Sequence, residues 1–183
     1  MKKNLLIVFT LLMCSYELSV AQQIPHHSQY MFNDFFINPA VAGTKPNQPI
    51  MVTARNQWVG LDDAPTTQTI SFHGSWIKNM GLGAIITNDV TGPARQTGIQ
   101  LAYSYNFLLK DKVHLSLGLS GSLTQHTLNK ASIDLDDPND NALLGGNDEA
   151  IIPDASFGIY CYSEKFFVGL AAPQLFETKL DYN

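Results

Sequence analysis

Cysteine is scarce in this chain, with only Cys14 and Cys161 among 183 residues. Cys14 falls inside an N-terminal leader, so the mature protein keeps one thiol, can form no internal disulfide and has no cysteine cluster for a metal. Basic residues are also few: Lys and Arg total 11 against 16 Asp and Glu, a net charge of −5, and the only arginines are Arg55 and Arg95. Nucleic acid is set aside as a partner, because phosphate contacts need clustered Lys and Arg. No apolar run after the leader approaches the roughly twenty residues of a membrane helix. Gly-rich phosphate loops and paired-carboxylate signatures are missing as well, so no cofactor is expected.

What is present begins with an address. Met1, Lys2 and Lys3 form a basic start, residues 5–13 an apolar stretch, and Ser19-Val20-Ala21 a small-residue cleavage site. Residues 1–21 read as a signal peptide removed near Ala21/Gln22. Tyr16 and Glu17 interrupt the stretch too soon for a membrane anchor. Cys14 suggests a lipoprotein, but Met13 stands where that processing wants a small residue. The mature chain is secreted, periplasmic or inserted in an outer membrane.

Residues 22–49 mix His26, His27 and Gln29 with Tyr30, Met31, Phe32, Phe35 and Phe36, broken by Pro25, Pro39, Pro46 and Pro49. They are expected to form an irregular periplasmic or lumenal segment that packs its aromatics into a larger body. Within it, Asn38-Pro39-Ala40 opens a rigid turn, since Pro39 fixes its own φ and pushes Asn38 out of the helical region. Gly43 allows a backbone conformation that a side chain resists.

From Ile50 the pattern changes to period two. Ile50, Val52, Ala54 and Trp58 oppose Thr53, Arg55 and Gln57, and Ile70, Phe72 and Trp76 oppose Ser71, His73 and Ser75. Leu82, Ala84 and Ile86 follow. The clearest segments set Ile99, Leu101, Tyr103, Tyr105 and Phe107, then Val113, Leu115, Leu117, Leu119 and Leu123, against Ser, Gly, Asn, Gln and Thr. Phe157, Ile159 and Cys161, and finally Phe166, Val168 and Leu170, complete the series. Such alternation gives a sheet one apolar and one polar face.

A soluble sandwich or lipocalin-like barrel buries the apolar face, whereas a membrane barrel shows it to lipid. The longest segments suit the roughly 9–11 residues of a tilted membrane strand rather than the ~5–6 of a sandwich strand. Their polar face is almost free of charge, which suits a crowded barrel interior better than a water-facing sheet. The connections fall at 59–66, 78–80, 90–96, 110–111, 127–153 and 163–165, short alternating with long, as periplasmic turns alternate with extracellular loops. Trp58 and Trp76 take the positions of an aromatic girdle. Seven strands do not close a barrel, and no strand follows Pro173. The expected fold is all-β: the N-terminal half, about seven antiparallel strands over residues 50–183, of a transmembrane outer-membrane β-barrel, apparently truncated. Its long acidic loop 127–153 lies outside the cell.

Five stretches carry a family resemblance. Asn38, Pro39, Ala40 and Gly43 spell N-P-A-x-x-G; Arg55, Gln57 and Trp58 spell R-x-Q-W; Ala64 and Pro65 open A-P-x-T. With D-A-S-F-G-I-Y at 154–160 and F-F-V-G-L-x-x-P at 166–173, the chain resembles the PorP/SprF family of outer-membrane proteins. That resemblance implies a non-enzymatic part in the type IX secretion and gliding machinery of Bacteroidetes. It further implies partners among the other components of the machine, and cargo with C-terminal secretion domains. A passive porin for small solutes is the alternative.

Three groups suggest chemistry and have blander readings. His73-Gly74-Ser75 has the H-x-S spacing of outer-membrane phospholipases, yet this register points both side chains into the lumen. Asp137, Asn139 and Asn141 begin like a calcium loop with Asp148 at the twelfth position, but Ala142 replaces the required Gly and the bidentate Glu is missing. His73, His114 and His126 share the inward face and could meet there, or serve as hydrogen-bonded wall residues. Arg55 differs in kind: an inward charge needs a partner, such as residues 30–43 folded across the lumen.

Overall fold

Period-two patterning becomes seven antiparallel strands in the computed structural model, which describes residues 32–110, 112–130 and 148–176. They are β1 (Ile50–Asn56), β2 (Thr66–Ile77), β3 (Met80–Thr91), β4 (Ala94–Lys110), β5 (Val113–Leu128), β6 (Asp148–Tyr162) and β7 (Phe167–Ala172). Each pairs with its neighbours in sequence, giving a meander of order β1 to β7 that curls into a half-barrel. No described helix is long and apolar enough to cross a membrane. The calling-card connections of a meander set its two ends. The β2–β3, β4–β5 and β6–β7 strand ends meet at one end, and the β1–β2, β3–β4 and β5–β6 strand ends at the other.

The convex face is apolar. Ile70, Leu82, Ile86, Ile99, Leu101, Tyr103, Leu117, Leu119, Leu123 and Leu170 are large hydrophobic residues left exposed there. Cross-strand partners such as Ile86 with Ile99, and Tyr103 with Leu119, line up on it. From Ile99 to Phe107 is about 27 Å along β4 at roughly 3.4 Å per residue, or ~21 Å at a tilt of about 40°. That is close to the ~25 Å apolar band of membrane barrels. Above this band the same face turns polar, where Arg95 Nε donates to Asn88 Oδ1 at 2.9 Å and Gln125 Nε2 to Glu149 Oε2 at 3.2 Å.

The buried core lies on the concave side. Phe35, Val41 and Ala42, from the segment ahead of β1, pack on Ile85 of β3 and Ala102 of β4, with Phe36 and Tyr160 at the margin. Residues 34–41 form one helical turn, α1 (Asp34–Ile37), and a 3₁₀ turn at Pro39–Val41.

Two details depart from expectation. The connection expected at 90–96 is a tight turn at 92–93, because β3 runs to Thr91 and β4 starts at Ala94. Gly92 supplies φ +53 there, its N–H donates to Asp63 O at 3.1 Å, and Asn129 N–H donates to Pro93 O at 2.9 Å. A Gly-Pro turn capped from both sides needs no long loop. Connection lengths therefore do not alternate strictly. Secondly, β5 and β6 continue to Leu128 and from Asp148, inside the expected loop 127–153, and residues 131–147 lie outside the described residues.

Candidate functional site

The concave wall carries an in-register row of small residues. Gly81 of β3 faces Ser104 of β4, Ser104 faces Gly118 of β5, and Gly118 faces Gly158 of β6. With no Cβ at three of these four positions, the row is a trench across the strands near the end that holds the 78–79 and 111–112 turns. Residues 38–43 lie in it. A Cβ on Gly81 would run into Ala42 O, one on Gly118 into the Ala40 backbone, and one on Gly158 into Asn38 Oδ1. Backbone sits against backbone here because the side chains were left out.

Hydrogen bonds fix the register of the seated turn. Ser104 Oγ donates to Ala42 O at 2.6 Å, and Ser116 Oγ to Ala40 O at 2.6 Å; both serines are fully buried. Asn38 is a three-way junction. Its Oδ1 accepts from Ala40 N at 2.9 Å, capping the 3₁₀ turn, while its Nδ2 donates to Ile159 O at 3.0 Å and Leu170 O at 3.3 Å. Pro39 occupies the first position of that turn, where a missing N–H costs nothing. At the far side Gly43, with φ +67, donates its N–H to His73 Nδ1 at 3.3 Å, which places the imidazole proton on Nε2.

Traced in order, the segment is a strap. Asn33 Nδ2 donates to Ser71 Oγ on β2 at 2.7 Å, and the Phe35 ring lies 4.8 Å from the His73 ring. The chain then crosses to Asn38 at the β6–β7 seam and returns over β5, β4 and β3 to Gly43 and Gln48, which rests on Gly74. A cavity of about 20 Å³ remains where the strap meets β1 and β2, lined by Asn33, Lys45, Met51, Ser71 and His73.

The remaining motif residues sit elsewhere. Arg55 pairs in register with Thr67, which is seven positions along β2 from the trench-side Gly74, or roughly 24 Å. The turn of residues 38–43 and Arg55 thus occupy opposite ends of the wall. The Arg55 guanidinium lies against the Gln57 side-chain amide, whose oxygen accepts from it when the amide is turned that way. Arg55, Thr67, Asp89, Gln96 and His126 form a second in-register row, and Thr67 Oγ1 donates to Asp89 within it. Trp58 follows β1 at φ +48 with its side chain exposed. Ala64 and Pro65 end the first loop, where Pro65 O accepts from Gln57 N at 2.9 Å. Tyr30 and Met31 lie outside the described residues.

The catalytic candidate comes apart. The register shifts between Gly74 and Ile77, His73 is buried and Ser75 is exposed, and the Ser75 hydroxyl donates to Ile77 O at 3.1 Å. Among the described residues His73 and Ser75 share no hydrogen bond, since His73 Nδ1 accepts from Gly43 N–H and the Ser75 hydroxyl is turned to Ile77 O. The three histidines also separate. His114 stacks on Tyr162 with ring centroids 5.0 Å apart, and His126 is about 40 Å further along the same strand. Of the acidic loop, Asp148 is described and is bound by Lys130 at 2.9 Å, whereas Asp137, Asn139 and Asn141 lie outside the described residues.

Sequence reasoning singled out the turn but missed the trench. Gly81, Ser104, Gly118 and Gly158 are scattered singly along four strands, and only strand register lines them up. A family model described as type IX secretion system membrane protein PorP/SprF matches residues 19–183. The chain belongs to the PorP/SprF family. Nothing matches it among curated proteins or among solved structures. In this PorP/SprF protein the N-P-A-x-x-G stretch is the seated turn, and D-A-S-F-G-I-Y is the β6 run that contributes Gly158 and Tyr160. Membership makes the chain a membrane component of type IX secretion.

Proposed function

We propose that this protein is an outer-membrane barrel of the type IX secretion and gliding machinery that supports export, or retention at the cell surface, of cargo with C-terminal secretion domains. The observation that carries the reading is the family match on a sheet whose strands turn their apolar side chains outward. Residues 1–21 serve as the signal peptide, and the end bearing the seated turn faces the periplasm. Other components of the machine are the partners, met through surfaces rather than through chemistry. Asn38, Pro39, Ala40 and Gly43 hold the strap on the wall, Arg55 and Gln57 order the opposite rim, Trp58 anchors that rim at the membrane interface, and Ala64 and Pro65 close the first loop.

Deleting the gene and assaying surface-exposed cargo tests this function. Loss of export or retention, restored by the wild-type gene, is the expected result, and unchanged cargo would sink it. A stable, wide conductance of the full-length protein in planar bilayers would favour a passive porin instead.

A further inference from the structure

We propose that residues 33–44 form a strap that docks last, as a separable unit, onto a wall that is built without them. Three observations point the same way. First, the ladders need nothing from the strap: β1 to β7 pair consecutively, and the strap adds no strand to any of them. Secondly, the strap has no independent fold, since α1 spans 4 residues and the 3₁₀ turn 3. Helical turns that short do not persist alone in water, so the strap takes its shape from the trench. Thirdly, its anchors lie far ahead in the chain. Ser104 and Ser116 are 62 and 76 positions from their partners, and Ile159 and Leu170 are 121 and 132 positions from Asn38.

Closing contacts of that separation requires the strands to be placed first, because loop-closure entropy has to be met before the contacts repay it. Asn38 is the deciding residue. Its two strand partners are on β6 and β7, so its carboxamide can be satisfied only when the β6–β7 seam exists. Until then Ser104 and Ser116 face an open trench. The strap therefore closes on a finished seam and leaves an unfinished one uncovered. This inference rests on the wall being a membrane barrel, which the experiment reads separately.

Protein without leader residues 1–21, and so without Cys14, carrying Val41→Cys and Cys161→Ser is refolded from urea into lipid vesicles. Wall formation is followed by heat-modifiable mobility on gels, and strap seating by protection of the thiol at position 41 from a water-soluble maleimide. Val41 is 1% exposed when seated, so protection is a sharp signal. The mobility shift is expected to precede protection. In the same background Gly158→Ala, whose Cβ would overlap Asn38 Oδ1, is expected to give the shift with at least tenfold faster labelling. Protection that arises with or before the shift would overturn the inference, as would a Gly158→Ala protein that loses both signals. Absence of any shift in the parent would instead count against the barrel itself.

Discussion

Ser116 on β5 and Ala40 in the N-terminal turn are joined by a 2.6 Å hydrogen bond, with both residues at 0% exposure. The bond satisfies a carbonyl that no water reaches. Removing the hydroxyl leaves that oxygen buried and unpaired, a loss of about 1–3 kcal/mol. Ser116→Ala, and likewise Ser104→Ala, should lower the urea midpoint of the refolded protein accordingly. Ser116→Thr keeps the hydroxyl but adds a methyl against the turn, and should not restore full stability.

Asn38 offers an inversion of the usual isostere rule. Asn38→Asp preserves size and the cap on Ala40 N, yet turns a donor into an acceptor facing Ile159 O and Leu170 O. Asn38→Ala only removes bonds, at about 1–3 kcal/mol. The aspartate variant is therefore expected to be the less stable of the two at neutral pH, and to recover part of the difference when acid protonates the carboxylate. Unfolding midpoints of both variants at two pH values give the comparison.

Phe35 is 1% exposed, with its ring on His73 and its tip against Gly83. Phe35→Ala should cost about 3–5 kcal/mol, whereas Phe35→Leu should cost less because it leaves a smaller cavity. Both belong to the strap, so equilibrium unfolding should show the loss with little change in the far-ultraviolet strand signal.

Lipid contact on the convex face is tested by charge at two depths. Leu119→Arg, near the middle of the apolar band, should destabilise by about 2–4 kcal/mol in vesicles, and Gln125→Arg, beyond its edge, by about 0–1. Equal effects at the two positions would argue that the face does not meet hydrocarbon.

Much of the wall was legible in the sequence, because period two on β4 and β5 leaves little choice of face. Ile99 to Phe107 point outward as the alternation requires, and their partners Leu115 to Leu123 do the same. Two local features escaped it. Residues 90–96 look like a loop, since Asp89, Thr91, Gly92 and Pro93 are turn formers, but register between β3 and β4 holds all but Gly92 and Pro93 in the ladder, and those two are tied down by Asp63 O and Asn129 N–H. The register shift after Gly74 is the second, because alternation cannot show a bulge when the residues around it are polar or small. The trench escaped for a different reason. A lone Gly in a strand reads as a weakness, and only pairing across four strands makes Gly81, Gly118 and Gly158 a single surface.

That row also constrains how such a chain can change over time. Each of its members sits a fixed number of steps from a hairpin turn: Gly81 just after 78–79, Ser104 and Gly118 on either side of 111–112, and Gly158 before 163–166. Inserting or deleting one residue in any of those short arms would swap faces and put a bulky side chain where the strap backbone must pass. Among the described residues the opposite arms seat no such strap. Length variation in this architecture should accordingly accumulate at 57–65 and 129–147, and spare the arms that hold the strap.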